Sequence, residues 1–468
     1  MKTKITFFVV LLSMLSIGIH AQTATWVGPA TGDWSTAANW STSATPLASD
    51  SVLIPSGKVV TVSSNAGSIN RLIVSGSLII STSGTLTVDQ TTSPNGSGII
   101  NLIGGEILNN GTFTVKNSVT AASNTVIQFS DNLDRDNKLT NNGTFTMDNT
   151  VGAYASTTGR VIGLNMVSPG RVSTFKFGGT MNFNVKPVGC FIETNGGGNL
   201  TMDGTLVLGS KNDYKNLRFI KIQAGGKVTV AKTANITVFT GFVSGNGVIN
   251  MQSALTTEPG SSFTNYGTIA IHGGSATTGY GIYFNPQAPS AINKFINEGT
   301  IYLEGTFPLG FVFLGGNVGG ATSISNTATG VFSIFSADPA VQVIKSGLTN
   351  AATITNNGIM NISSPSITPA STAVIFTNNG TVNYGFVSAV KQLSYFNGKV
   401  YSNKNEITVT LPANGIAQFT LLDITGKILK TANLTDEKNV LTTAGLKGIF
   451  IVKLITSEGS YSQKISLD

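Results

Sequence analysis

A short glycine-centred pattern that recurs along the chain limits most strongly what this sequence can fold into. The pattern consists of Asn, any residue, Gly, Thr or Ile, and then two apolar residues separated by one position. It begins at six asparagines: Asn109, Asn141, Asn265, Asn297, Asn356 and Asn378. A shuffled chain of the same composition would contain fewer than about one copy, so the repetition indicates a repeated structural unit.

The residues after each glycine predict a short β-strand, because apolar side chains two positions apart fall on the same face of a strand. A strand of about five residues cannot bury that face alone, so the units must stack on one another. Glycine and asparagine tolerate the left-handed backbone of a tight turn before each strand. The Asn before each glycine can hydrogen-bond its own loop or stack on the Asn of the next coil. Stacking also predicts that Phe113 lies over Phe145 in an internal ladder.

The spacing of the glycines predicts how the units are connected. Consecutive glycines of the pattern and its looser relatives, from Gly204 to Gly380, are 20 to 32 residues apart. This spacing predicts an all-β fold, a right-handed parallel β-helix over residues 61–385 with loops of variable length. At about 4.8 Å per coil, roughly 16 coils would give a rod of about 80 Å. Serial β-sandwiches are the alternative, but they would show paired hairpins and domain-sized breaks.

The composition supports an all-β chain. Only 10% of the 468 residues are charged and 54 are glycine, whereas an ordinary soluble domain carries about 25% charge. Helical bundles, coiled coils and nucleotide-binding α/β domains need long stretches of Glu, Lys, Ala and Leu, which are missing here. The formal net charge of +7 is spread thinly, and aromatic and basic residues are not interleaved, so we expect no nucleic-acid partner.

The first 21 residues predict export. Lys2 and Lys4 precede an apolar run that extends to Ile19, and Ala21 offers a small residue for cleavage, which is typical of a secretory signal peptide. The run is shorter than the roughly 18 to 20 residues of a membrane span, so we expect no transmembrane anchor. The mature chain is expected to be secreted, extracellular or on the outer-membrane surface.

The single cysteine of the chain, Cys190, excludes an intramolecular disulfide and is interpreted as a small buried hydrophobe.

Residues 22–60 contain all three tryptophans, Trp26, Trp34 and Trp40. Their Gly-Asp-Trp and Asn-Trp-Ser motifs resemble the opening found before β-helical stems in exported proteins of the Bacteroidetes. Because a β-helix must protect the exposed edge of its first coil, we interpret the indoles as a cap of the stem. The alternative is that they stack on sugar rings.

Residues 395–468 differ in texture and follow a linker at 386–394. Alternating apolar residues separated by turns predict a small immunoglobulin-like β-sandwich. Three motifs resemble the type A C-terminal sorting domain of the Bacteroidetes type IX secretion system: Asp423-Ile-Thr-Gly426-Lys427, Gly448-Ile-Phe450, and Lys464-Ile. The family usually has Tyr where Phe450 stands and often opens with an Asn-Pro pair that is missing here. The resemblance implies recognition by the type IX secretion machinery and cleavage, with the stem released or attached to surface lipopolysaccharide. The alternative is a sandwich without a sorting role.

Two charged segments are candidate sites. The loop 131–138 holds three carboxylates, Asp131, Asp134 and Asp136, which could bind Ca²⁺ through oxygen ligands beside Arg135 or Lys138. It lacks the glycine and terminal Glu of an EF-hand, so a solvated polar loop is the alternative.

The second segment carries six basic residues that could bind an acidic polysaccharide if they share one face; they are Lys211, Lys215, Arg218, Lys221, Lys227 and Lys232. Basic side chains spread around a solvated coil are the alternative.

Aromatic residues in the segment 272–295 are a third candidate. Tyr280 and Tyr283 could stack on sugar rings if they lie on an exposed loop, or pack on the neighbouring coil. His272 has no evident acid or nucleophile partner in the sequence, and no catalytic residue is predicted.

Together these features predict an exported β-helical adhesin, a non-catalytic rod that binds polysaccharide or host or cell-surface glycan. One alternative is a polysaccharide lyase or hydrolase of the pectate-lyase-like β-helix type. A further alternative is a structural surface-matrix protein.

Overall fold

The computed structural model divides the chain into two compact units, residues 1–386 and 387–468. The structure describes residues 22–467 except for short internal segments. These segments are 92–97, 118–124, 131–133, 150–159, 166–170, 186–189, 196–197, 211–212, 214–217, 224, 242–246, 253–259, 275–279, 286–291, 306–310, 314–320, 337–343, 347–351, 364–373, 385–398, 404, 412–415, 425–426, 444 and 457–458. The predicted signal peptide and the whole of the predicted linker therefore lie outside the described residues.

The first unit is a parallel β-solenoid with three faces. Face 1 stacks twelve strands: Thr23–Thr25, Ser51–Ile54, Arg71–Val74, Ile100–Ile103, Thr125–Ser130, Arg160–Asn165, Cys190–Asn195, Arg218–Ile222, Gly247–Gln252, Tyr280–Asn285, Phe311–Phe313 and Ile344–Ser346. Face 2 stacks thirteen: Thr31–Asp33, Val59–Val62, Ser77–Ile80, Glu106–Asn109, Lys138–Asn141, Val172–Phe177, Asn199–Leu208, Lys227–Val230, Ser262–Asn265, Ile292–Asn297, Ala321–Asn326, Ala352–Asn356 and Val374–Asn378.

Face 3 is built from two successive stacks. The first holds Asn65–Ile69, Thr85–Gln90, Thr112–Asn117, Thr144–Asn149 and Thr180–Val185. The second begins with the outer half of the long strand Asn199–Leu208 and continues with Asn235–Thr240, Thr268–Gly273, Thr300–Gly305, Val331–Ser336, Ile359–Ile362 and Thr381–Tyr384. Apart from a 3₁₀ turn at Ala37–Asn39, the described part of the chain forms strands and turns. No helical segment there has the length and hydrophobicity of a membrane span.

Within each stack, neighbouring strands come from consecutive coils and pair in parallel, which confirms the predicted stacking of one-strand units. The stack is shorter than the roughly 16 coils expected from the minimum spacing. The reason is loop length: Lys138 pairs with Thr174, so that coil takes 174 − 138 = 36 residues. The right-handed sense of the helix stays a prediction.

The core of the solenoid is one continuous apolar column. On face 1, Ile127, Ile162, Ile192 and Ile220 pair in register in four successive coils, and each is fully buried. Burial of each such side chain contributes about 1.5 to 3 kcal/mol. Phe113 lies in register with Phe145, and their ring centroids are 5.5 Å apart, which confirms the predicted aromatic ladder.

The three tryptophans belong to this core. Trp26, Trp34 and Trp40 are only 1 to 2% exposed and contact one another edge to face. The indole N–H of Trp26 donates to the carbonyl of Pro29 (3.0 Å), and that of Trp40 donates to the carbonyl of Trp34 (2.8 Å). Because the indoles are enclosed in the first coils, their rings offer no surface on which a sugar could stack.

The asparagines of the repeat stack on one another, and some also bond their own loop, as the Asn265 amide does to the Gly267 carbonyl (3.1 Å), so both predicted arrangements occur. Five side-chain amides donate to the side-chain oxygen of an Asn in the next coil: Asn109 to Asn141 (2.6 Å), Asn265 to Asn297 (2.9 Å), Asn297 to Asn326 (2.8 Å), Asn326 to Asn356 (2.7 Å) and Asn356 to Asn378 (2.7 Å). The Asn141 amide donates instead to backbone carbonyls, including that of Thr180 (3.2 Å). These bonds satisfy polar groups that are otherwise cut off from water, and such groups are costly when left unpaired.

The glycines of the repeat have a different role from the one predicted. None of the six has a positive φ, so a left-handed turn is the wrong explanation at these positions. The actual reason is the closeness of the preceding coil. A Cβ on Gly299 would lie 2.1 Å from the carbonyl oxygen of Gly267, and one on Gly380 would lie 2.2 Å from that of Gly358. Glycine is required because the backbones of successive coils leave no room for a side chain.

The second unit contains two small antiparallel sheets. One holds Lys399–Asn403, Glu406–Thr410 and Lys438–Thr442, and the other holds Ala417–Asp423, Ile428–Leu434, Gly448–Thr456 and Gly459–Leu467. Buried residues of both sheets, including Val409 and Phe419, form a single hydrophobic cluster. The unit is therefore all-β, with one core shared by two sheets.

Candidate functional site

A groove runs along the corner where the chain passes from face 1 to face 2 in five consecutive coils. Its volume is about 530 Å³. It is lined by Gly57, Lys58, Val59, Gly76, Ser77, Gly104, Gly105, Glu106, Asp134, Arg135, Asp136, Lys138 and Arg171. The lining is mostly backbone and charged side chains, so the groove suits a polar ligand.

The floor of the groove is formed by the two shortest turns, Ser75-Gly76 and Gly104-Gly105, which connect their strands with two residues each. A Cβ on Gly76 would lie 2.3 Å from the carbonyl oxygen of Lys58, and one on Gly105 would lie 2.2 Å from that of Val74. Glycine therefore keeps this floor low and free of side chains. The described lining residues of the flanking coils, among them Lys58, Asp134, Lys138 and Arg171, form the walls.

Two cations on the walls are paired with carboxylates. The ammonium of Lys138 lies 2.8 Å from Glu106 Oε1, and Arg171 Nη1 lies 4.0 Å from Asp136 Oδ1. The same Asp136 oxygen accepts the backbone N–H of Val172 (3.0 Å). Such exposed pairs contribute less than about 1 kcal/mol to stability. Their main effect is to fix the position of donors and acceptors along the wall.

Lys58 and Arg135 are bonded differently. Lys58 Nζ donates to the carbonyl of Gly28 (2.7 Å), and Arg135 Nη1 donates to the carbonyl of Ser75 (3.4 Å). Within the described residues, neither cation has a carboxylate within 4.0 Å. Four cations and three carboxylates line the groove, so its net formal charge is +1, and its third carboxylate, Asp134, directly precedes Arg135 in the sequence.

The predicted calcium loop lies on one wall of this groove. Asp134 and Asp136 are among the lining residues, whereas Asp131 lies outside the described residues. Across the described ranges, no group of three His, Cys, Asp or Glu side chains is placed to hold a metal ion. The calcium site stays a prediction.

The predicted basic cluster is only partly described, because Lys211 and Lys215 lie outside the described residues. Lys221 Nζ lies 2.9 Å from Glu193 Oε1, with side-chain exposures of 20% and 6%. Arg218 is half-buried and lies in register with Cys190. Since Lys221 is paired with a buried carboxylate, its charge is compensated inside the protein.

Sequence reasoning missed the network around Glu193 on face 1. Glu193 Oε1 accepts bonds from Lys221 Nζ and from Gln223 Nε2 (2.6 Å), and Gln252 Nε2 donates to Gln223 Oε1 (3.2 Å). The partners are 28 to 30 residues apart, so only the register of successive coils could have revealed them.

Nearby in the same face, burial raises the pKa of the Cys190 thiol to about 12. The thiol therefore stays protonated and unreactive at neutral pH, which agrees with its interpretation as a small buried hydrophobe.

The aromatic candidates lie in a strand of face 1. Tyr283 belongs to Tyr280–Asn285 and is 7% exposed, so its ring offers little surface to a sugar. The side chain of Tyr280 lies outside the described residues.

His272 has an acidic partner that the sequence analysis failed to find. Its Nδ1 lies 3.0 Å from Glu304 Oε2, and its ring stacks on Phe239 with 4.7 Å between centroids. The two residues are in register, 304 − 272 = 32 residues apart, which equals the spacing of Gly267 and Gly299. That shared spacing could have predicted the pair. The imidazole is 7% exposed and the Glu304 side chain 34%, so the ring is enclosed while its carboxylate partner is partly open to solvent.

The residues of the sorting motifs occupy structural positions in the second unit. Asp423 and Lys427 close a turn, because the Lys427 N–H donates to Asp423 Oδ1 (3.0 Å) and the Asp423 N–H donates to the Lys427 carbonyl (3.0 Å). Gly448 begins a strand with a φ of +112°, which favours glycine. Phe450 is buried and Lys464 is exposed, whereas Gly426 lies outside the described residues.

No protein-family model and no curated protein sequence matches this chain.

Proposed function

We propose that the chain is an exported β-solenoid, displayed at the cell surface or released, whose stem binds polysaccharide without cleaving it. The observation that carries this proposal is the groove between faces 1 and 2. It is open and elongated, its floor is backbone, and its walls alternate between cationic donors and carboxylate acceptors.

Polysaccharides suit this chemistry because each sugar hydroxyl can both donate and accept a hydrogen bond. Charged partners strengthen such bonds relative to neutral ones. A rod with many copies on one cell would also gain avidity from a repetitive ligand, so a weak individual site is sufficient.

A bulky side chain on the groove floor tests this proposal. Ser77→Trp would fill the groove, whereas Thr264→Trp places the same side chain on the same outward row of face 2, several coils away. We expect Ser77→Trp to abolish retention of the full chain on polysaccharide columns and Thr264→Trp to leave it unchanged. Equal retention of both variants would contradict the assignment of the groove.

One observation favours a second candidate, a polysaccharide lyase or hydrolase: Asp134, Arg135 and Asp136 line the same groove, so an acid and a base are close together. Incubation with acidic and neutral polysaccharides, with and without Ca²⁺, would reveal new chain ends if the protein cleaves them. Turnover that Asp134→Ala abolishes would replace the binding proposal. If the protein is neither retained by polysaccharides nor cleaves them, the remaining role is that of a structural surface-matrix protein.

We propose further that residues 395–468 form an immunoglobulin-like sorting sandwich read by the type IX secretion machinery. The single core shared by two antiparallel sheets supports this proposal. Removal of residues 395–468 should retain the stem inside the cell, and unchanged export would contradict the sorting role.

For the stem we propose a right-handed helix, because parallel strand connections are right-handed in nearly all proteins.

A further inference from the structure

We infer that the groove selects an anionic polysaccharide, whose carboxylate or sulfate groups bind at Lys58 and Arg135. This inference rests on the proposed polysaccharide-binding function and adds the class of polymer. It follows from the shape of the groove, from the bonding of its cations and from the position of its carboxylates.

The shape requires an extended ligand. The groove crosses five coils, and four intervals of about 4.8 Å give a length of about 19 Å. Its lining extends from Gly57 in one coil to Arg171 four coils later. A single small anion would occupy only a fraction of this length, whereas an extended sugar chain lying along the solenoid axis would contact every coil.

The cations that can bind an acid group are Lys58 and Arg135. Each is held by a bond to a backbone carbonyl, which fixes its position, and in the described part of the chain neither has a carboxylate within 4.0 Å. Arg135 reaches back across two coils, because its guanidinium contacts Ser75, which is 60 residues earlier in the sequence. The guanidinium therefore lies above the glycine floor. Its remaining N–H donors suit the planar oxygens of a carboxylate or sulfate.

The other two cations are poorer sites for an acid group. Lys138 and Arg171 already face Glu106 and Asp136, so an incoming anion near them would meet a carboxylate as well. Those carboxylates can instead accept hydrogen bonds from sugar hydroxyls. We therefore expect a polymer that carries both acid groups and free hydroxyls.

The test compares three polymers of similar length on the full chain: polygalacturonate with carboxylates, dextran sulfate with sulfates, and neutral dextran. Affinity is measured by calorimetry at two salt concentrations. We expect at least one acidic polymer to bind more tightly than neutral dextran and to weaken as salt rises, because salt screens exposed charges. The tighter of the two acidic polymers identifies the preferred acid group.

Matched variants locate the site. Lys58→Gln with Arg135→Gln removes two charges from the groove, and Lys116→Gln with Lys294→Gln removes two exposed charges that belong to neither the groove nor the predicted basic cluster. We expect about a 10-fold loss of affinity for each groove cation, typical of one charge-assisted hydrogen bond, and little change in the control. Lys58→Arg and Arg135→Lys keep the charge and should retain most of the binding, which separates a charge effect from misfolding.

Two results would overturn the inference in distinguishable ways. If neutral dextran binds as tightly as the acidic polymers and the groove variants lose nothing, the anionic class is wrong while polysaccharide binding stands. If none of the three polymers binds the unmodified chain, both the inference and its underlying function are contradicted.

Discussion

Removal of one asparagine from the middle of the internal ladder should weaken the solenoid locally and strongly. Asn326 is 2% exposed and accepts a bond from Asn297 Nδ2 (2.8 Å). Its own amide donates to Asn356 Oδ1 (2.7 Å) and to the carbonyls of Gly330 and Ile359 (both 3.1 Å). Asn326→Ala removes all four bonds and leaves the buried Asn356 Oδ1 without this donor.

The expected loss is about 4 kcal/mol, because each lost bond costs about 1 kcal/mol and unpaired buried groups cost at least as much. Asn378→Ala is the matched control at the end of the same ladder. Asn378 is exposed, and its two bonds, to Asn356 and Gly380, can be replaced by water. We expect that change to cost less than about 1 kcal/mol.

Hydrogen exchange followed by mass spectrometry is the suitable assay, because stacked repeats unfold locally and a single unfolding free energy describes them poorly. In Asn326→Ala, peptides that cover Ala321–Ile362 should exchange roughly 1000-fold faster, since each 1.4 kcal/mol is a factor of ten. Peptides of the first coils should be unchanged. If Asn326→Ala and Asn378→Ala accelerate exchange equally, the ladder does not stabilise the solenoid as argued.

Three further predictions concern packing, charge and pH. Gly299→Ala should lower the thermal midpoint of the full chain and expose its local coils to proteolysis, because the new Cβ would lie 2.1 Å from the Gly267 carbonyl oxygen; an unchanged midpoint would refute the close-approach explanation. Glu193→Leu should cost about 3 kcal/mol because it leaves the partly buried Lys221, whose side chain is 20% exposed, without its carboxylate, and addition of Lys221→Met should recover most of the loss in denaturant titrations. Burial raises the pKa of the Cys190 thiol from 9.0 to about 12. As the pH rises above 9, the unfolded chain therefore loses the thiol proton before the folded chain does. The contribution of the thiol to the free energy of unfolding should fall between pH 9 and pH 12. Iodoacetamide should label Cys190 only after unfolding, and rapid labelling of the folded chain at pH 9 would contradict its burial.

The strands and the ladder could be predicted from the sequence because both depend on a pattern within seven residues. Asn326 does not match the pattern because its glycine, Gly330, lies four positions after it rather than two. The fold accommodates the longer turn, since Asn326 still bonds both neighbours in the ladder.

The sites were harder to predict because their residues come from different coils. The groove joins Lys58 to Arg171, and its depth arises from differences in turn length that no local motif records. The pair of His272 and Glu304 likewise depends on coil register, which becomes readable only once the coil length of 32 residues is known. Local patterns therefore predict the repeat, whereas the register between coils determines the sites.

The most direct test of the account is a disulfide between successive coils, because the parallel register underlies both the ladder and the groove. The side chains of Asn110 and Asn142 meet in adjacent coils, with Asn142 Nδ2 3.0 Å from Asn110 Oδ1. Strands about 4.8 Å apart meet the geometric requirement of a disulfide. The native thiol, Cys190, is buried and should not compete.

The variant Asn110→Cys with Asn142→Cys should therefore oxidise rapidly and quantitatively within one chain, as measured by mass spectrometry after proteolysis. The control, Asn142→Cys with Asn379→Cys, places the thiols many coils apart and should stay reduced under the same conditions. If the first pair oxidises no faster than the control, the coils are not stacked in the register described, and the groove built on that register does not exist.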